Sequence, residues 1–218
     1  MSNKALWDAV KVTDPKAVKP ITGKPYKGNS PKPYWLIERA TDVFGPIGIG
    51  WGVDVKSERF ERITETDVLH VAVVSVWFVK DGVRSQTFDQ MGGTKAAYMT
   101  SGGKVMVDED AGKKSVTDGM VKCLSMIGFA GDIFSGQWDD SKYVEWAAEE
   151  TAKRETPLLS DKQCDEIATL LNDTNSDFPA FMAWVSKAVG SECKELSDVP
   201  ASAYKPILKT LKAKKEPA

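Results

Sequence analysis

Between Leu69 and Val79 the chain reads LHVAVVSVWFV, apolar on both alternating faces. Such a run is stable as the interior strand of a sheet, covered on both sides. Lys80-Asp81-Gly82 follows at once, and Asp-Gly after an apolar run is a hairpin signal, so Val83 to Gln90 is expected to return as a more polar strand. Upstream, Ile47, Ile49, Trp51, Val53 and Val55 alternate with Gly48, Gly50, Gly52 and Asp54, which reads as another strand with one bare face. Glycine at alternate positions weakens a strand. Either a helix or a neighbouring chain lies against the bare face, or the glycines serve curvature. The three segments together predict an antiparallel meander of three strands.

The stretch Lys113 to Gly128, KKSVTDGMVKCLSMIG, predicts the helix that packs on this meander. At helical spacing Val116, Met120, Cys123, Leu124 and Ile127 share one side, and Lys114, Asp118, Val121, Lys122 and Ser125 the other. Gly119 in mid-helix costs about 1 kcal/mol relative to Ala and marks a place where something packs closely. Gly92-Gly93 and Gly102-Gly103 punctuate the route to this helix, which is expected to begin near Asp108. A shorter helix is expected from Tyr34, with Trp35, Ile37, Ala40 and Phe44 as its apolar stripe and Gly45-Pro46 as its stop. The fold class is therefore α+β: a curved antiparallel three-stranded sheet packed by a long helix.

Both ends differ from this core. Residues 3–10 read as a short helix, followed through Pro33 by a lysine, proline and glycine rich stretch that reads as an exposed arm. Beyond Glu155 the strand patterns disappear. Ser160 to Leu171, opened by the capping-box pair Ser160 and Gln163, then Phe178 to Val189 and Ala201 to Leu211, predict a small module of three helices. Its aromatics Phe178, Phe181, Trp184 and Tyr204 read as core rather than as a docking site. The expected organisation is a basic helix and arm over 1–33, a core over 34–152 and a helical module over 157–214.

Composition and missing motifs narrow the function. A formal net charge of −2 on 218 residues confines any nucleic-acid site to a local patch. Residues 1–39 carry a surplus of +5, with eight Lys or Arg against three acids. The single histidine, His70, sits inside the apolar strand and reads as a satisfied core or interface residue, which disfavours hydrolase triads. There is no GxxxxGK[ST] loop for a nucleotide and no GxGxxG opening a helix after a strand. Asp108, Glu109 and Asp110, or Asp139 and Asp140, are local acidic runs rather than ligands converging from separate elements, and the first suits a helix start without any metal. Cys123, Cys164 and Cys193 are widely spaced and read as inert buried thiols of a reducing compartment. No signal peptide or membrane span is recognisable, so a cytoplasmic location is expected.

The VTDG segment, with lysines before it, a hydrophobe and Lys122 after it and a closing hydrophobe-glycine, resembles the signature helix of the Rad-fifty-two type single-strand annealing proteins, a superfamily that includes phage recombination proteins. PYWLIERATDVFGPIGIGW resembles the same family's helix, phenylalanine-glycine turn and glycine-tryptophan strand start. The order of elements agrees as well, with the last strand ending in a glycine turn written MGGT, and the resemblance covers about residues 20 to 150.

The resemblance implies ATP-independent binding and annealing of single-stranded DNA by a ring or helical filament, with no enzymatic step, no cofactor and no metal. Strands of adjacent subunits would extend one sheet, and DNA would lie in an external basic groove. If the chain is phage-encoded, it would act in the cytoplasm of a bacterial host. The implied DNA contacts are Lys122 at the principal cationic position, Lys113 and Lys114 before the motif, and Lys24, Lys27 and Lys32 in the basic loop; Arg84 and Lys95 border the outer strand. Two positions basic in the better-known eukaryotic pattern are Val121 and Ser125 here. The C-terminal module would dock a partner exonuclease or the host single-strand-binding protein. Two other readings are a passive single-strand-binding protein and a non-catalytic oligomeric scaffold or host-interaction protein.

Overall fold

Val68 to Lys80 forms the interior strand of a curled antiparallel sheet in the computed structural model, which describes residues 3–22 and 25–215. The chain divides into two units, Met1–Thr151 and Ala152–Ala218. In chain order the first contains α1 (Ala5–Val10), β1 (Val18–Pro20), β2 (Asn29–Pro31), α2 (Pro33–Phe44), β3 (Trp51–Arg62), β4 (Val68–Lys80), β5 (Val83–Arg84), β6 (Phe88–Met99), β7 (Val105–Val107), α3 (Ala111–Met126) and the short α4 (Gly131–Phe134). The division falls within α5 (Ser141–Glu155); α6 (Asp161–Asp173), α7 (Phe178–Val189) and α8 (Tyr204–Lys215) follow.

The sheet has the strand order β3-β4-β6-β7, with β5 paired to β4, so five strands replace the predicted three. The return after the hairpin breaks into two pieces. Asp81 and Gly82 take φ values of +51° and +76°, as the tight turn requires, and β5 pairs for only two residues before the chain reaches β6. The MGGT segment is no turn: Met91 to Thr94 lie inside β6, opposite Val73 to His70 of β4. The added β7 pairs with the end of β6 at Ala97 to Met99.

The predicted strand at 47–55 starts late. Ile47 and Ile49 precede β3 and are exposed, whereas Trp51 is fully buried with its Nε1–H donating to Thr41 Oγ1 at 3.4 Å. Of the alternating glycines, Gly50 lies against the end of α2, where an added Cβ would fall 1.7 Å from the Phe44 carbonyl oxygen. Gly52 lies under the Trp77 ring of the neighbouring strand, 2.6 Å from that missing Cβ. Close approach is the reason for both.

The first core gathers Leu36 and Ala40 of α2, Trp51, Ala72, Val74 and Val76 of the sheet, Met120, Cys123 and Leu124 of α3, and Phe129. Each large aliphatic or aromatic side chain fully buried there contributes about 2 kcal/mol by area. Val10 belongs to the same core, and Val12 and Ala17 are buried. The segment expected to be an exposed arm is thus partly fixed, with β1 and β2 paired as a small ribbon.

Asp132 holds that segment. Its buried carboxylate accepts from Thr13 N–H (2.8 Å), Thr13 Oγ1 (2.6 Å), Ile133 N–H (2.8 Å), Trp138 Nε1 (3.0 Å) and Tyr143 OH (3.1 Å). The charge is buried because five donors replace its water.

In the second unit, Ile167, Leu170 and Leu171 of α6, Phe181, Met182 and Val185 of α7, and Ile207 and Leu211 of α8 form a separate core. The Ser160 and Gln163 capping box forms as predicted. Phe181 is core, but Phe178 and Trp184 are 43% and 40% exposed, contrary to the core reading of those two side chains.

Candidate nucleic-acid interface

Helix α3 approaches the sheet at two glycines. An added Cβ at Gly119 would fall 2.6 Å from Val74 Cγ2, and one at Gly92 of β6 would fall 1.9 Å from the Ser115 carbonyl oxygen. The mid-helix glycine therefore marks the crossing point of helix and sheet, as its sequence position predicted. Ser115, buried at the same crossing, donates its hydroxyl to the His70 carbonyl at 2.9 Å.

This crossing carries Asp118 and Lys122 to the outer edge of β6, where among the described residues no strand pairs before Ala97. Asp118 Oδ2 accepts the Gly93 N–H at 3.1 Å, and Lys122 Nζ donates to the Met91 carbonyl at 3.0 Å and to Asp118 Oδ2 at 2.8 Å. An open strand edge leaves backbone donors and acceptors without partners, and these two side chains supply them in place of a strand. Thus Asp118 of the VTDG motif binds backbone, a role that its place on the polar helix side did not disclose.

The expected contact residues do not form one cluster. Lys113 is 71% exposed and pairs with Asp110 at 2.9 Å. Lys114 pairs with Asp108 at 2.7 Å; that hydrogen bond raises the lysine pKa and holds the Asp108 carboxyl below the usual aspartate range. Lys122 is 46% exposed despite its internal bonds. All three belong to α3, but Lys113 lies on the opposite side of the helix from Lys122, which faces the β6 edge. Lys95 pairs with Asp67 at 3.5 Å and approaches the Tyr98 ring, whereas Arg84 stacks 3.9 Å from the centre of the Trp77 ring. Lys95 lies opposite Leu69 and Arg84 opposite Val79, so the two flank positions about 33 Å apart along β4. Lys32 donates to the Lys16 carbonyl at 2.7 Å, and Lys27 is exposed between β1 and β2. Lys24 lies outside the described residues.

Val121 packs against the core, and Ser125 donates to the Lys122 carbonyl at 2.8 Å. Both positions that depart from the eukaryotic pattern therefore have local structural roles. His70 is buried, but its Nδ1 has no partner among the described residues, while Nε2 lies 3.5 Å from Glu58. His70 is thus buried as expected for a core or interface residue, with one of its two ring nitrogens left without a partner among the described residues. Burial pushes the Cys123 thiol up to about 11, which makes it the inert group predicted.

Among the described residues no helix is long and apolar enough to cross a membrane. No protein-family model and no curated protein sequence matches this chain.

Proposed function

We propose that this chain is a phage-type protein of the Rad-fifty-two type superfamily that binds single-stranded DNA and anneals complementary strands without ATP. The observation that carries the reading is the placement of VTDG: Asp118 and Gly119 fix α3 against β6, so that Lys114 and Lys122 share the helix side that carries Asp118 to the sheet edge, with Lys113 exposed near the helix start. The ion pairs of Lys113 and Lys114 with Asp110 and Asp108 lie at the surface, contribute little to stability and are exchangeable for phosphate oxygens. Phosphates bound in such a row leave base edges free to test a second strand. Base pairing supplies the free energy, and the protein lowers the repulsion between two polyanions.

Assembly as a ring or filament is supported by β3. It is the other edge of the sheet, twelve residues long, with Val55 48% and Phe60 68% exposed. Such an edge is a template for strand pairing with another copy. The second unit would dock a partner exonuclease or host single-strand-binding protein; its groove of about 750 Å³, lined by Leu158, Trp184, Val189, Pro200 and Ile207, supports that role.

A second reading, an oligomeric scaffold without DNA binding, is favoured by the internal bonding of Lys122. Anisotropy of a labelled oligonucleotide, titrated with the chain at several salt concentrations, separates the two. The proposal expects affinity that falls steeply with salt, and absence of binding at low salt selects the scaffold.

A further inference from the structure

The second unit is electrically neutral in total, with ten basic and ten acidic residues over 152–218, yet its charge is segregated. Helix α8, YKPILKTLKAKK, carries five lysines and no acid. Lys205, Lys209 and Lys212 recur at spacings of four and three, within an arc of about 60° on the helix. All three are exposed, while Ile207 and Leu211 face the core on another side.

Helix stability does not account for this stripe. Cations in the last turn suit the helix dipole, but Lys205 lies in the first turn, where a positive charge is unfavourable. Lys205 and Lys209 are a like-charged i,i+4 pair, which also destabilises. Lys212 reaches Glu166 at 3.8 Å; among the described residues Lys205 and Lys209 have no acidic partner. A row of cations that costs the helix stability is compensated when a polyanion binds.

We propose that this face of α8 is a second contact surface for the phosphate backbone of single-stranded nucleic acid, separate from α3. The inference rests on the single-strand-binding reading and extends it to the second unit. From Lys205 to Lys212 the helix rises about 10 Å, a length over which long lysine side chains reach neighbouring phosphates of one strand. Between the lysines the exposed face offers only Pro206 and Ala213, without the large apolar side chains that anchor a helix in a lipid surface. None of the three lysines lines the apolar groove, which meets this face at Pro206.

The test uses the full chain and a labelled oligothymidylate, comparing wild type with the combined Lys205→Gln, Lys209→Gln and Lys212→Gln variant. The slope of log affinity against log salt should become shallower by about 2, since a single strand gives about 0.7 per phosphate contact. The corresponding triple Lys→Arg variant should keep the wild-type slope, and neither variant should melt earlier than wild type. An unchanged slope in the Gln variant overturns the inference while leaving single-strand binding intact. Wild type that shows no salt-dependent binding overturns the parent reading and this extension with it. If the Gln variant instead loses binding to phosphatidylserine vesicles and keeps its oligonucleotide slope, the partner is a lipid surface and the inference is wrong.

Discussion

Helices α3 and α8 carry lysines under opposite conditions. On α3, Lys113, Lys114 and Lys122 each face an aspartate within 3 Å, and Lys122 also holds a backbone carbonyl of β6. On α8, Lys205 and Lys209 have only like charges along their helix. The same residue type therefore has two roles: on α3 it is tied to the architecture as well as available to a ligand, and at Lys205 and Lys209 of α8 it has no acidic partner among the described residues. Substitution on α3 removes an internal bond together with a ligand contact, whereas substitution of Lys205 or Lys209 on α8 should remove a ligand contact alone.

The largest effect expected from breaking this contrast is at the helix crossing. Gly92→Ala places a methyl group against the Ser115 backbone and should cost about 3 kcal/mol in denaturant unfolding. Gly119→Ala clashes instead with the Val74 side chain, so adding Val74→Ala should recover part of its loss and none of the Gly92→Ala loss. Equal behaviour of the two rescues would contradict the backbone contact.

Asp132→Asn should follow, at about 2 kcal/mol, because an amide replaces the charged acceptor of five hydrogen bonds. Proteolysis near Thr13 should accelerate in that variant if the carboxylate is what anchors the N-terminal segment.

Lys122→Ala sharpens the comparison most directly. It should reduce the salt slope of oligonucleotide binding by about 0.7 without unfolding the chain. An unchanged slope would reduce Lys122 to an edge clamp.

The smallest effect is electrostatic. The hydrogen bond from Lys114 lowers the Asp108 pKa in the folded state, so the pair stabilises above the unfolded aspartate value and loses that contribution as pH falls through the folded one. Carboxyl NMR should find the Asp108 midpoint below the ordinary range, and Lys114→Gln should move it upward.

Much of this was legible because it is periodic. The doubly apolar strand, the Asp-Gly turn, the glycine-stopped α2 and the C-terminal capping box all formed where residue spacing placed them. Gly119 announced a close approach, but its counterpart was hidden, since Gly92-Gly93 reads equally as a turn until a helix is known to lie on it. Val10 and Val12 escaped notice because their anchor, Asp132, is more than a hundred residues away, and a buried carboxylate looks like any surface aspartate in a sequence. The site was legible as a set of cations and not as a shape. Spacing placed Lys114 and Lys122 on one helix side, whereas only strand register shows that Arg84 and Lys95 lie toward different ends of β4.

The most direct test of the central claim is the rate at which two complementary fluorophore-labelled oligonucleotides pair, with and without the chain, in EDTA and without ATP. Strong acceleration that fades as salt is added is the expected result for an annealing protein. Strand binding without acceleration would mean passive protection, and neither binding nor acceleration would contradict the account altogether.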